Sequence, residues 1–286
     1  MDTLTRGYGL VEGPVWQPGR GLLFSDVLNG GVFRVDPDGR VSTVFEHRRG
    51  IGGMALHDAG GLIVSGRNIS YKPFDGGITV VALDRDPDAG NVGYNDLTTD
   101  AAGRVYAGSL GASPVFADGR EPASGDLWLI DLDGSARVVG RDIALTNGLG
   151  FSPDGSVLYH SDSGVRTVWR YAVAGNGDLG PKEVFLRTES GVPDGLAVAE
   201  DGTLWVALAG GGHGVAVYDA DGAAVDFVKI PEPMCTSVCF GGDDLHDLYV
   251  VSGAEGSGSE AGGAVHRVRV PVAGCAVTPA RIRLGV

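Results

Sequence analysis

Short apolar runs alternate with glycine-bearing turns along the whole chain of 286 residues. Leu22-Leu23-Phe24, Leu62-Ile63-Val64, Val105-Tyr106 and Leu204-Trp205-Val206 are typical runs, rich in the branched and aromatic side chains that suit a pleated surface. Asp-Gly and Gly-Gly pairs separate them, and such pairs mark tight reversals. No long stretch shows the three-to-four-residue spacing of an amphipathic helix, so the pattern predicts an all-β chain of many short strands.

The strands fall into repeats. A polar residue, a short apolar run, a glycine turn and a second apolar run recur from Glu12, Gly53, Asn95, Asn147, Asp194 and Thr236. The spacings between these starts are 41, 42, 52, 47 and 42 residues, and a four-stranded propeller blade takes about 40–50 residues. Third runs such as Val32-Phe33-Arg34-Val35, Leu127-Trp128-Leu129-Ile130 and Val215-Ala216-Val217-Tyr218 follow, each leading to another Asp-Gly pair. The expected architecture is a single six-bladed β-propeller over residues 1–286, with four-stranded blades around a central channel. A propeller must close its ring, so Thr3–Val11 and Val277–Val286 are expected to share a blade. The longest departures from the repeat, Arg67–Gly77, Ser109–Gly125 and Ala254–Gly263, read as loops. Tyr71, Phe74 and Phe116 on the first two are candidates for shaping substrate access.

Composition narrows the class. Glycine supplies 49 residues, about 17% against a usual ~7%, as many tight turns require. The net charge is −14, with no basic cluster larger than Arg48-Arg49, which argues against nucleic acid as a partner. The three cysteines, Cys235, Cys239 and Cys275, are too few and odd in number for a disulfide framework. The N-terminus lacks the charged and apolar regions of a signal peptide, and no apolar run approaches the ~18 residues of a membrane span. A cytoplasmic protein with a small-molecule substrate is expected; the oligomeric state is not encoded in these features.

The chemistry lies in the phase of the repeats. Asn95, Asn147 and Asp194 each precede a turn glycine (Gly103, Gly155, Gly202) by eight residues, and Glu12 stands in the same phase. Equivalent positions of different blades face one axis, so four oxygen-bearing side chains are expected to meet. Two carboxylates and two amides, without histidine or cysteine, suit a hard cation such as Ca²⁺ better than zinc. Two unneutralised carboxylates on one axis would repel each other. Read singly, Asn147-Gly148 and Asp194-Gly195 are also the commonest hairpin-turn dipeptides, although Asp154-Gly155 and Asp201-Gly202 already supply a turn in those repeats. Asp26 and Asp162 read as strand ends satisfying backbone donors. Trp16, Trp128, Trp169 and Trp205 read as core.

At these residues the chain resembles the senescence-marker-protein/gluconolactonase/luciferin-regenerating-enzyme family. The matching phrases run from Glu12-Gly13-Pro14-Val15-Trp16 through Asn95-Asp96, Asn147-Gly148-Leu149, Ser161-Asp162-Ser163 and Pro193-Asp194-Gly195-Leu196 to Thr236-Ser237-Val238. The resemblance implies a metal-dependent propeller hydrolase, commonly a lactonase, with Ca²⁺ or another divalent ion (Zn²⁺, Mn²⁺ or Mg²⁺) in the channel. It implies Glu12, Asn147 and Asp194 as metal ligands and Asn95 as a fourth ligand or a group that binds substrate or water. Asp194 is the implied catalytic carboxylate, as general base or nucleophile, and Tyr94 and Asp96 fall beside the substrate. Related propellers hydrolyse organophosphates, so a phosphotriester or fluorophosphate substrate and a non-catalytic calcium-binding role are the alternatives. Sugar lactonases of the family carry Arg two residues before the Asn of the third repeat; this chain has Gly93, which points to a less polar lactone.

Overall fold

The computed structural model describes residues 1–116 and 119–285. Six antiparallel four-stranded sheets are arranged as the blades of a propeller. The innermost strands are Val11–Gln17, Met54–His57, Gly93–Thr99, Thr146–Phe151, Val192–Val198 and Met234–Gly241, so the repeat phrases are blades 1 to 6 read from the axis outward. The one helical turn among the described residues is Ser163–Val165, and none of their helices is long and apolar enough to cross a membrane.

The glycine excess has a local cause. The turn after each innermost strand holds a glycine at positive φ: Gly19, Gly60, Gly103, Gly155, Gly202 and Gly242, at 69° to 91°. A side chain there would be strained, so these turns select glycine.

There is no central core. Six apolar clusters instead fill the six walls between neighbouring blades. Leu23, Val32, Ile51 and Leu62 lie between blades 1 and 2, and Tyr106, Leu127, Leu149 and Leu158 lie between blades 3 and 4. Trp205 belongs to the wall between blades 5 and 6, whereas Trp16, Trp128 and Trp169 are partly buried at the edges of others. Each blade buries its faces on two neighbours, so the ring is stable only when closed.

Closure departs from expectation in its details. Asp2–Tyr8 pairs with Gly263–Arg269 and becomes the outermost strand of blade 6, with Tyr8 edge-on to Phe24 in blade 1. Residues 277–285 do not join that sheet; Val286 lies outside the described residues. From Gly274 the tail leaves blade 6 through a bridge to Ala199, and the Cys275 amide donates to Val198 O. It then crosses the end of the channel to blades 2 and 3, where Ala280 bridges His57 and Ile282 O meets His57 Nε2. Thr99 Oγ1 donates to Thr278 O on the way. The tail ends in the blade 2–3 wall with Ala280 and Ile282 because these apolar side chains find a deeper site there than on an outer edge.

Tyr71 and Phe74 are also displaced from their expected place. The strand Ile69–Pro73 runs away from the rim and Phe74 follows it; Tyr71 is buried, with its hydroxyl on Ala59 O. Phe74 stacks on Phe45. Only Phe116 of the three stands at the rim, 37% exposed.

Deleting Asp2–Tyr8 should open the ring and lower the melting temperature by on the order of 10 °C, the equivalent of a few kcal/mol in a chain of this size. Thermal unfolding followed by circular dichroism would check this; an unchanged midpoint would show that the closing strand is dispensable.

Candidate active site

Glu12, Asn95, Asn147 and Asp194 all fall near the beginning of innermost strands, in blades 1, 3, 4 and 5. A β-bulge interrupts the pairing at each: between Glu12 and Val15, Tyr94 and Leu97, Thr146 and Leu149, and Pro193 and Leu196. A bulge turns the strand and re-aims its side chain. The repeated phase in sequence is therefore a repeated backbone irregularity in space. The turn reading of Asn147-Gly148 and Asp194-Gly195 is excluded, since both pairs lie within strands.

Glycine at the bulges lets the inner strands close in. A β-carbon placed on Gly148 would lie 2.7 Å from Asp194 O, and one on Gly53 would lie 2.6 Å from the Asp96 carboxylate. One on Gly195 would overlap the Ser237 hydroxyl, and one on Gly52 the Asn95 amide oxygen. None of these four has a positive φ; close approach, not backbone conformation, requires them.

The two amides form a linked pair. Asn95 Nδ2 donates to Thr146 O and to Asn147 Oδ1, each at 2.9 Å. A carbonyl acceptor requires the nitrogen at that end, which fixes the orientation of the Asn95 amide. Its oxygen abuts Gly52, so Asn95 acts here as a brace for Asn147. Asn147 Nδ2 donates to Ser163 Oγ at 2.9 Å, and Ser163 Oγ donates to Pro193 O at 2.6 Å. The serine thereby ties Asn147 to the residue before Asp194. Behind them Thr146 Oγ1 pairs with His160 Nε2 at 2.7 Å. Complete burial lowers His160 to about 4, leaving a neutral ring at physiological pH. Ser163, Thr146 and His160 were not singled out by the repeat phase, which marks only the first strand of each blade. The Ser161-Asp162-Ser163 phrase was the one available signal.

Three carboxyl groups share the site. Burial raises Glu12 and Asp194 well above the usual carboxylate range. The charges of Asp194 and Asp96 push Glu12 further, and that of Asp96 does the same to Asp194. Burial alone pushes Asp96 up to about 7, against a hydrogen bond from the Leu97 amide. Asp194 is 5% exposed, and its Oδ1 has no hydrogen-bond partner. A buried, unpaired carboxylate oxygen among like charges is costly unless it binds a proton or a cation. The donor set is all oxygen, which fits a hard divalent ion. Among the described residues no three His, Cys, Asp or Glu side chains cluster within metal-binding reach; any cation would depend on the amide of Asn147 as well as the acids.

Two expected substrate contacts fall elsewhere. Tyr94 is 1% exposed in the wall between blades 2 and 3, with its hydroxyl on Asp84 O and Asn91 Nδ2. Strand alternation sends it to the opposite side from Asn95, so it cannot face a substrate. Asp96 lines a chamber of about 380 Å³ that runs from the ring towards the C-terminal tail, with Leu149, Phe151, Leu196, Val238 and Phe240 on its walls and Cys275 to Pro279 at the far end. It stands on the chamber side of the ring and is not on the rim. A side chain at Gly93 would meet Gly66 O at 2.8 Å; the blade 2 loop already fills that space.

The loops that carry the ring are pinned by carboxylates. Asp26 accepts from the amides of Gly9, Leu10, Leu28 and Asn29. Asp162 accepts from Ala144, Leu145 and Trp169 Nε1. These are the strand-end roles expected of them, and they fix the entries to the strands bearing Glu12 and Asn147.

The SMP-30/Gluconolactonase/LRE-like region family model matches residues 10–254. A 6-deoxy-6-sulfogluconolactonase of Pseudomonas putida is 34% identical over 279 residues, covering 93% of each chain. The pentonolactonase XacC of Haloferax volcanii is 32% identical over 304 residues, covering 100% of this chain and 98% of its own. The solved structure of a luciferin-regenerating enzyme superposes with a TM-score of 0.87 at 26% identity, covering 98% of this chain and 97% of the other.

Gly148→Ala should destabilise the fold by about 1–3 kcal/mol, as overpacking does, and should spread the inner strands of blades 4 and 5. Chemical denaturation would measure it, and a wild-type midpoint would contradict the close approach. The raised carboxyls give a second expectation. A group that binds its proton more tightly in the fold than in the unfolded chain costs stability as pH rises above its unfolded value. Without metal the protein should therefore lose stability from about pH 4 upward through pH 7, where Asp96 titrates. A fixed calcium concentration a hundredfold above the Kd at pH 8 should restore about 2.7 kcal/mol there, with a smaller gain in Tm at pH 5, where protons compete for the carboxylates. An equal gain at both would show that the ion binds elsewhere.

Proposed function

The chain belongs to the SMP-30/gluconolactonase/LRE-like family, and on that premise we propose that it is a metal-dependent lactonase opening a small lactone of a hydroxylated acid. The observation that carries the reading is the unpartnered Oδ1 of buried Asp194, set among like-charged acids at the axis. Glu12, Asn147 and Asp194 would hold a divalent ion, with calcium best suited to an all-oxygen set. Bound there, such an ion supplies Lewis-acid stabilisation of the charge that develops on a lactone oxygen.

The chain's own groups do the rest. Asp194 would take the proton of an attacking water as a general base. Asn95 holds the amide of Asn147 in one orientation, and Ser163 fixes its other end. Sugar-acid lactone relatives support a polar substrate over the less polar one suggested by Gly93. The loop that fills the space beside Gly93 also brings Arg67, whose Cα lies 3.7 Å from a β-carbon placed there, so the missing arginine does not leave an apolar rim.

Asp194→Asn should keep the fold and reduce turnover by at least about a hundredfold, within the usual worth of a general base. A panel of sugar-acid lactones followed by pH-stat, with chelator and then with Ca²⁺, Zn²⁺, Mn²⁺ or Mg²⁺ added back, tests both residue and metal. Undiminished hydrolysis by the variant, or full activity in chelator, would defeat the reading.

A further inference from the structure

Three loops meet at the rim above Asn95. Gly50, in the loop entering blade 2, donates to Val27 O at 3.0 Å. A β-carbon on Gly66, in the loop of blade 2, would lie 2.9 Å from Gly50 O and 3.8 Å from Arg49 O. The ring of Phe116, from the loop of blade 3, comes within 3.4 Å of a β-carbon on Gly50. The loops that carry Arg49, Arg67 and Phe116 thus meet at one point, and the Arg49 stem lies beside Gly30, its Cγ 3.3 Å from a β-carbon placed there. That point borders the site along two stretches of chain: Gly52, two residues beyond Gly50, abuts the Asn95 amide, and Gly66 exchanges two hydrogen bonds with Tyr94, at 2.7 and 3.1 Å.

The corner is rigid. Ser65 Oγ accepts from the amides of Gly52 and Gly53 at 3.2 and 2.9 Å. The partly buried Arg48 donates to Ser65 O, Asn68 O and Asn68 Oδ1 at 3.0 to 3.1 Å. Arg48 is consumed in holding the loop. Arg49 and Arg67 are exposed, and among the described residues neither has a hydrogen-bond or ion-pair partner. Elsewhere on this acidic surface Arg137, Arg267 and Arg269 each pair with aspartates. Arg49 and Arg67 therefore leave two guanidiniums open to solvent near the acids of the axis.

We propose that Arg49 and Arg67, with Phe116, form a recognition corner for a lactone carrying an anionic substituent, a carboxylate, sulfonate or phosphate. The proposal rests on the lactonase reading and names its substrate class. The chain carries a net charge of −14 and three acids at the axis, so an anionic substrate approaches only if cations at the mouth offset that field. Guanidiniums bind such groups through paired hydrogen bonds, and the Phe116 face covers the carbon skeleton of the ring.

The test compares D-glucono-1,5-lactone with a carboxylate-bearing glucarolactone, using the metal-loaded wild type, Arg49→Gln, Arg67→Gln and the double variant. The wild type should favour the anionic lactone in kcat/KM. The double variant should lose about tenfold to a hundredfold of that preference, the worth of one or two charge-assisted hydrogen bonds, through KM. Raising ionic strength should erode the wild-type preference. Equal treatment of the two lactones by the wild type, or a preference untouched in the double variant, would overturn the proposal. Calorimetric binding of glucarate separates the corner from the chemistry. Binding by the wild type that the double variant loses would uphold the corner even where no lactone is opened, while absent or equal binding would reject it.

Discussion

Like charge held out of water is the constraint around which this molecule is arranged. Glu12, Asp96 and Asp194 stand at one axis, all three raised by burial and Glu12 and Asp194 also by neighbouring acids, and an isolated domain gains nothing from such a grouping unless protons or a cation neutralise it. The surrounding structure holds the acids in place. Bulges aim the side chains, glycines bring the strands together, and Asn95, Ser163, Thr146 and His160 fix the amide between them. The proposed divalent ion is a consequence of that repulsion, because it would relieve it.

The propeller tolerates this because its stability is placed elsewhere. Six apolar walls lie between blades, so the axis is free to be polar on one side of the ring and hollow on the other. The tail that closes the far end of the chamber, and the strand Asp2–Tyr8 that completes blade 6, tie the two chain ends to opposite parts of the ring. Unfolding one blade would expose the faces of two neighbours, which makes the ring a cooperative frame for a site drawn from four of its blades.

The rim divides its arginines by task. Arg48 braces a loop, whereas Arg49 and Arg67 project from that brace without partners among the described residues. A site rich in acid needs cations near the mouth if its substrate is itself an anion. Their loops border Gly52 and Gly93, on either side of Asn95, so the rim there carries charge opposite to that of the axis.

Much of this was legible in residue order alone. Turn glycines and apolar runs at blade-length spacing specify strands, and the shared phase of Glu12, Asn95, Asn147 and Asp194 specifies convergence, because a radial repeat maps equal phase to one axis. Residue order could not show the environment of each group. It placed Tyr94 and Asp96 beside the substrate, but alternation along Gly93–Thr99 buries the first in a wall, and the second borders the inner chamber. It joined the C-terminal tail to the closing blade, but Ala280 and Ile282 find their burial across the channel. The bracing by Ser163 and the meeting of Arg49, Arg67 and Phe116 depend on which loops touch. Periodicity is a local property that a chain carries in one dimension, whereas burial, pairing and mutual repulsion exist only between segments that folding has brought together.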